Sequence, residues 1–278
     1  MESRLSVITV CYKAAGEIEK TILSVLEQRF CDYEYIFVDG GSQDGTLEKI
    51  RAYEAALKSR CRGVSITSEP DTGIYDAMNK GLRRARGEWV LMLNAGDVLA
   101  DGLVFEDIFR GREYAQDVIY GDALLWDQHG ERALFKPFPA MKLEEMERGL
   151  PFCHQAAFAR RELLQKYPFD TRFSVSADYD QFLRIWLDGA AFLHILRVVA
   201  IFDCGGVCLS RPHDTMAQCD AVRQFRNFPG RPASLWQRLR GRLRAAVKAG
   251  LPGLFYSSRR GWRDKLHRDA EGRVLLNE

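Results

Sequence analysis

Asp97 closes the tetrapeptide Asn94-Ala95-Gly96-Asp97, which follows directly on the unbroken apolar run Trp89 to Leu93. Such a run suits a strand covered on both faces, and open α/β sheets hold ligands beyond the carboxyl ends of their strands. A carboxylate placed there, behind a small Ala-Gly pair, suits a hard cation such as Mg2+ or Mn2+ rather than zinc. A cation so held neutralises a nucleotide diphosphate, both in binding and as a leaving group departs. Asn94 can add hydrogen bonds or a water-mediated contact, but it is a poor substitute for a second carboxylate. The ordinary alternative is a turn in which Asp97 caps a helix. Asp39 poses the same choice. It ends a second apolar strand and opens DGGSQDGT, Asp39 to Thr46, where Gly40 and Gly41 permit close approach of a ligand. Its carboxylate can accept hydrogen bonds from a base or ribose, yet Asp44-Gly45-Thr46 also reads as a plain turn and helix start. No GxGxxG follows the first strand and no GxxxxGK[ST] occurs, so the dinucleotide fingerprint and the P-loop are excluded.

These carboxylates need elements to hold them. In EPDTGIYDAMNKGLRRARGEWVLMLNAGD, Glu69 to Asp97, the residues Ile74, Ala77, Met78, Leu82 and Ala85 recur at helical spacing, and Gly87 stands where a helix would stop. Two acidic loops thus frame one βα unit. Leu5 to Val10 predicts a first strand, and Ile18, Ile22, Val25 and Leu26 a helix, with the Cys11 to Gly16 loop between them. Tyr35 to Val38 and Val64 to Thr67 predict further strands around a helix carrying Leu47, Ile50, Tyr53 and Leu57. Strands alternating with helices at this spacing imply a mostly parallel sheet with helices on both faces. After Val118 to Tyr120 and Asp122 the regularity fades. Short β-like pieces at Ala123 to Trp126 and Ala133 to Lys136 lead to an acidic helix around Leu143 to Arg148. A strand-like Phe152 to Phe158 follows, then a helix opening at Ala177-Asp178 and closing strands at Ala191 to His194 and Val198 to Phe202.

The 278 residues, 46% hydrophobic and 28% charged, are those of a soluble globular chain with ample core material. The net charge of +2 hides an asymmetry: 14 Lys/Arg against 4 Asp/Glu from Ala221 onward, and 26 against 34 before it. Seven cysteines without a CxxC pair favour neither a disulfide framework nor a zinc site, and fit free thiols in a reducing compartment. The apolar run in MESRLSVITV is too brief for a signal peptide or a membrane span, so the expected place is the cytoplasm. Beyond Arg231, Leu235, Leu239, Leu243, Ala246 and Val247 keep helical spacing among Arg238, Arg240, Arg242, Arg244 and Lys248, with Phe255, Tyr256 and Trp262 following. A basic amphipathic helix with aromatics suits an anionic membrane interface, at the inner face of the cell membrane. A helix packed on the body with solvated arginines is the competing reading.

VITVCYKAAGEIEKTILSVLEQ, EYIFVDGGSQDGT and EPDTGIYDAMNKGLRRARGEWVLMLNAGD, in that order and spacing, resemble family-2 glycosyltransferases of GT-A fold, in the bacterial exopolysaccharide (colanic-acid-type) branch. The resemblance is strong over Leu5 to Asp122 and looser over Phe152 to Cys208. It implies a Rossmann-like three-layer α/β/α catalytic domain over 1–220, with a donor half to about 122 and an acceptor half over 123–220. A basic helical region over 221–278 would follow. It also implies inverting transfer from a UDP- or GDP-sugar to a saccharide or lipid-linked acceptor, without nucleic acid. By motif position Asp39 would contact the base beside Thr9, Cys11 and Tyr12, and Asp71 would help hold nucleotide and sugar. Asn94 and Asp97 stand in the place of the family's DXD-type motif. Asn in the first acidic position leaves Asp97 as the principal metal ligand.

Ser176 to Trp186, SADYDQFLRIW, resembles the segment where these enzymes carry an acidic pair before a helix. Ala177 replaces the usual Glu, Asp178 matches the base, and Asp180 is the rival. Either Asp can instead serve as a cap or first-turn charge. His154-Gln155 would line the acceptor or pyrophosphate side, and Arg211 or His213 would bring positive charge over the donor phosphates. The alternatives are a metal-dependent sugar-phosphate nucleotidyltransferase, whose glycine- and lysine-rich loop is missing after the first strand, and an inactive carbohydrate-binding scaffold.

Overall fold

The structure is a computed structural model that describes residues 3–129, 132–138, 140–203, 212–228 and 266–276. The chain alternates at first: β1 Leu5–Cys11, α1 Ile18–Leu26, β2 Tyr33–Asp39, α2 Thr46–Ala52, α3 Glu54–Lys58, β3 Gly63–Ser68, α4 Ile74–Arg84 and β4 Trp89–Met92. It continues through β5 Val98–Leu99, α5 Val104–Phe109, β6 Val118–His129, β7 Arg132–Phe138, β8 Ala157–Arg160, α6 Arg161–Lys166, α7 Ala177–Leu187, β9 Phe192–Asp203 and α8 Pro212–Phe225. A hairpin of β10 Leu266–Arg268 and β11 Val274–Leu276 comes last.

The main sheet runs β3-β2-β1-β4-β8-β6-β9-β5, with β7 paired to β6. The strands β3, β2, β1 and β4 are mutually parallel. Beyond them the sheet is mixed, because β8 runs antiparallel to both β4 and β6, while β9 is parallel to β6. The carboxyl ends of β1, β2 and β4 and the amino end of β8 therefore meet at one edge. Both faces are covered, which makes three layers. Leu5, Val7, Leu91 and Phe158 pack with α1 and α5 through Ile18, Ile22, Phe105 and Phe109. Ile8, Val10, Val90 and Met92 face Met78, Leu82, Phe182 and Leu183 of α4 and α7. Alternation along each strand sends neighbouring side chains to opposite layers, and the apolar runs in the sequence have this cause. Gly87 serves the tight return from α4 into β4: a Cβ there would lie 2.5 Å from the Ser6 amide nitrogen.

Several expectations change in detail. Ile74 is 41% exposed, and Tyr75 takes the inward position at the start of α4. The acidic segment forms a short 3-10 turn, Leu143–Glu147, and another 3-10 turn, His154–Ala156, interrupts the expected Phe152 to Phe158 strand. The two closing strands are one, β9. The packed core also takes in Val222, past residue 220. Val222 and Cys219 of α8 are buried in the α4/α7 core, and Arg226 pairs with Asp170 and Asp180. The basic stretch over 231–265 lies outside the described residues. The far end of the 221–278 region is a hairpin where a helix is expected: in it Val274 enters the core and Arg273 pairs with Asp107 on α5. Cys11, Cys31, Cys61, Cys153 and Cys219 carry free thiols. Among the described residues, no helix is long and apolar enough to cross a membrane.

Candidate active site

The loops after β1, β2 and β3 build one wall. Asp39 ends β2 fully buried, and it is engaged within the protein. The Ser42 amide and the Ser68 hydroxyl donate to its Oδ2 at 2.9 and 2.6 Å, while the Ser42 hydroxyl donates to Oδ1. The Cys11 thiol lies 3.7 Å from Oδ1. Burial, and then the Asp39 charge, push that thiol well above its ordinary range, so it stays a neutral S–H. Thr9 is fully buried and donates to the Leu93 carbonyl at 2.7 Å. Thr9 and Cys11 thus brace the sheet beneath the loops and offer no surface to a donor, which corrects their expected role.

Tyr12 is the opposite case, 59% exposed at the loop's tip. Asp71 accepts from the Gly73 amide at 2.9 Å, and a Cβ placed on Gly40 would stand 2.5 Å from Asp71 Oδ2 and 3.2 Å from the Tyr12 ring. Gly40 therefore lets Asp71 and Tyr12 close on one point. Asp44 accepts from the Thr46 hydroxyl at 2.6 Å, which holds its carboxyl below the usual range, and from the Ala15 amide at 3.1 Å. Asp44-Gly45-Thr46 is the helix start that the simpler reading expects, and it also ties the first two loops together.

The Asn94–Asp97 turn forms the next wall. The Asp97 amide donates to the Asn94 carbonyl at 3.0 Å, Gly96 takes a left-handed φ of 97°, and its amide donates to Thr21 Oγ1 at 2.9 Å. Only glycine adopts that backbone readily. Asp97 is buried and receives Gln155 Nε2 on Oδ2 at 3.0 Å. Asn94 Nδ2 lies 3.5 Å from His154 Nε2, while its buried Oδ1 has no hydrogen-bond partner.

Across from this turn, α7 presents Asp178. Its Oδ1 accepts from the Tyr179 amide at 2.9 Å and faces the Tyr75 hydroxyl at 3.3 Å; its Oδ2 lies 3.1 Å from His154 Nδ1. Asp180 is two residues on, about 200° around the helix, and points elsewhere. It is fully buried and paired with Arg184 and Arg226 at 2.8 and 2.7 Å. That geometry removes it as a rival to Asp178. His154 and Gln155 do more than line one side, since they touch the Asn94–Asp97 turn and α7 at once. Arg211 lies outside the described residues, as does the side chain of His213.

Tyr75 is the functional candidate that sequence reasoning missed. Its hydroxyl donates to the Val175 carbonyl at 2.6 Å and reaches Asp178 from the donor half of the chain. The available signal was a tyrosine beside Asp76 at the first turn of α4, but apolar spacing placed Ile74 inward instead.

Comparison with known proteins agrees with this architecture. The model of the family described as Glycosyl transferase family 2 matches residues 6–167. A PGL/p-HBAD biosynthesis glycosyltransferase of Mycobacterium tuberculosis (strain ATCC 25177 / H37Ra) is 32% identical over 197 residues, which cover 70% of this chain and 74% of the relative. Among solved structures, S. aureus TarS 1-349 in complex with UDP-GlcNAc superposes with a TM-score of 0.63 at 16% identity, over 94% of this chain and 77% of that one. The mannosyltransferase PcManGT from Pyrobaculum calidifontis, in complex with GDP-Man and Mn2+, gives 0.64 at 19% identity, over 95% and 83%. The two structures share the GT-A fold with it, and the family match covers more than half of the sequence: the chain belongs to glycosyl transferase family 2 and is a glycosyltransferase.

Proposed function

We propose that the enzyme transfers a sugar with inversion from a nucleotide-diphosphate sugar to a hydroxyl of a saccharide or lipid-linked acceptor in surface-polysaccharide assembly. One observation carries this reading. The Asn94–Asp97 turn at the end of β4 and Asp178 at the start of α7 are linked through neighbouring residues, His154 touching both Asn94 and Asp178 while Gln155 holds Asp97. Tyr12, Asp71, Asn94 and Asp97 would line the donor, with Asp39 as the enclosed floor. The UDP-GlcNAc and GDP-Man bound by two proteins of the same fold support a donor of this class.

Asp178 acts as the base. As the acceptor oxygen bonds to the anomeric carbon, its O–H bond breaks and the proton passes to the Asp178 carboxylate. The anomeric C–O bond breaks on the opposite side, and its electron pair leaves with the diphosphate. The groups beside the donor also suit Mg2+ or Mn2+. Asp97 offers a carboxylate and Asn94 an unpartnered buried oxygen, both hard donors. Among the described residues no cluster of three or more His, Cys, Asp or Glu could hold a metal, so the diphosphate itself would complete the coordination. The bound cation would supply charge neutralisation on the leaving group.

The test is incubation with nucleotide sugars and Mn2+, reading the product released and the anomeric configuration by NMR. Nucleoside diphosphate together with an inverted glycoside is the expected outcome; pyrophosphate release or a retained configuration would overturn it. For the basic stretch beyond Arg231 we keep the reading of an anionic membrane surface at the cytoplasmic face. Replacing Arg238, Arg240, Arg242 and Arg244 by Gln tests it without removing the terminal hairpin. Loss of association with anionic liposomes at low salt is expected, and unchanged partitioning refutes it.

A further inference from the structure

His154 bonds in two directions. On one side its Nδ1 lies 3.1 Å from Asp178 Oδ2, and on the other its Nε2 lies 3.5 Å from Asn94 Nδ2. An ionised carboxylate only accepts hydrogen bonds, so the proton of a neutral ring belongs on Nδ1 and Nε2 becomes the acceptor. Asn94 must then turn its NH2 group toward the ring. Its Oδ1 is left buried and without a hydrogen-bond partner within the protein. The next residue, Gln155, holds Asp97 in the same turn at 3.0 Å. The 3-10 turn His154–Ala156 stands immediately before β8, on the sheet between β4 and β6, so both grips spring from a fixed element.

We propose that His154 is a positioning residue that couples the two halves of the site: it orients the Asp178 carboxylate and, through the same ring, sets the Asn94 amide with its oxygen toward the donor. This inference rests on Asp178 as base. The ring itself exchanges no proton with substrate. Tyr75 assists from α4, with its hydroxyl between the Val175 carbonyl and Asp178 Oδ1. A base carboxylate with one oxygen held by the Tyr179 amide and the other by His154 has little rotational freedom about its last bond.

Side-chain geometry provides the test. In an asparagine at position 154 the amide nitrogen takes the place of Nδ1, whereas in a glutamine it takes the place of Nε2. Donor KM should therefore rise in His154→Ala and His154→Asn, which lose the group facing Asn94, while His154→Ala and His154→Gln should lower kcat by about 10- to 100-fold. His154→Asn should recover most of that loss. The assay is UDP or GDP release from UDP-N-acetylglucosamine and GDP-mannose with Mn2+ and a membrane lipid extract, with thermal melting to confirm folding. Recovery by Gln but not Asn, three equal variants, or a loss confined to KM would overturn the coupling. Asp178→Asn is read beside them. Should it stay active, the base assignment fails, and the coupling with it. Should it be inactive while the His154 series matches wild type, the base stands and the coupling alone fails. Nitrogen-15 NMR of the histidine rings in the full chain needs no substrate and decides the tautomer. The Nδ1–H form is expected at His154, and protonation at Nε2 overturns the proposal.

Discussion

Asp178 and Asp180 stand two residues apart on α7, and substitution should separate them into one defect of rate and one of stability. Asp180 is fully buried between Arg184 and Arg226, whose side chains are only 16% and 23% exposed. Asp180→Asn places an amide between two guanidinium groups and removes the charge both of them face. Breaking a buried ion pair from one side costs about 3–5 kcal/mol. Here the lower figure applies, because Arg226 keeps Asp170 at 2.9 Å and Arg184 keeps the Pro168 carbonyl at 2.6 Å. For a domain of this size about 3 kcal/mol corresponds to a fall in Tm of about 6–12 °C. Asp178→Asn should shift Tm by no more than about 3 °C, as it alters one hydrogen bond to His154. Its transfer rate should instead fall about 10²- to 10⁴-fold. The measurements are circular-dichroism melts and nucleoside diphosphate release, the latter taken well below either Tm and normalised to folded protein. An Asp180→Asn variant that melts like wild type and fails to transfer would refute the assignment of roles.

Three further outcomes follow from the same geometry. Asp97→Ala removes the one carboxylate of the Asn94–Asp97 turn and should abolish Mn2+-dependent donor turnover; wild-type activity in excess chelator would defeat the metal reading. Gly40→Ala drives a Cβ against the Asp71 carboxylate, so calorimetric titration should show weaker UDP or GDP binding with an almost unchanged Tm. The hydrogen bonds from Arg172 hold the Asp170 carboxyl at about 2, below its ordinary 3.8. A depressed folded pKa gives stability that is present above the unfolded pKa and fades as pH falls from about 4 toward 2. Urea melts across that window should show the loss, and Asp170→Asn should flatten it.

The parallel half of the fold was legible because its physics is local. The strands β1, β2 and β4 are covered on both faces, so their residues are mostly apolar, with Ser6, Thr9 and Glu34 as interruptions, and α1 and α4 must turn one stripe inward. The second half resisted for a physical reason. β6 and β9 each run twelve residues and pass through irregular pairing between Tyr120 and Ala123, so single apolar fragments looked like separate strands. Nothing in a fragment's period reveals whether its partner is parallel. The hairpin at Leu266–Leu276 was hidden in the same way, since its hold on Asp101, Asp107 and the core depends on contacts more than 150 residues distant.

For the site the boundary falls elsewhere. Carboxylates beyond strand ends announce themselves, as Asp71 after β3 and Asp97 after β4 do, whereas Asp178 stands in the first turn of a helix. What a sequence conceals is which polar side chain is spent on structure. Thr9 and Asp180 carry the right chemistry, yet one is consumed by the Leu93 carbonyl and the other by two arginines. His154 shows the converse: a lone histidine at a turn is ordinary until α7 and the Asn94–Asp97 turn converge on its two nitrogens. Accessibility to a ligand is a property of what remains after the fold has satisfied its own donors and acceptors. By that measure Asn94, through its unpartnered Oδ1, is a stronger donor-side candidate than its departure from a second carboxylate suggested. Asn94→Asp would test the point directly. A second carboxylate there adds charge for a cation, yet it takes away the NH2 group that faces His154. Tighter Mn2+ binding together with a lower kcat is therefore expected, and a gain in both would detach the metal from the positioning of the base.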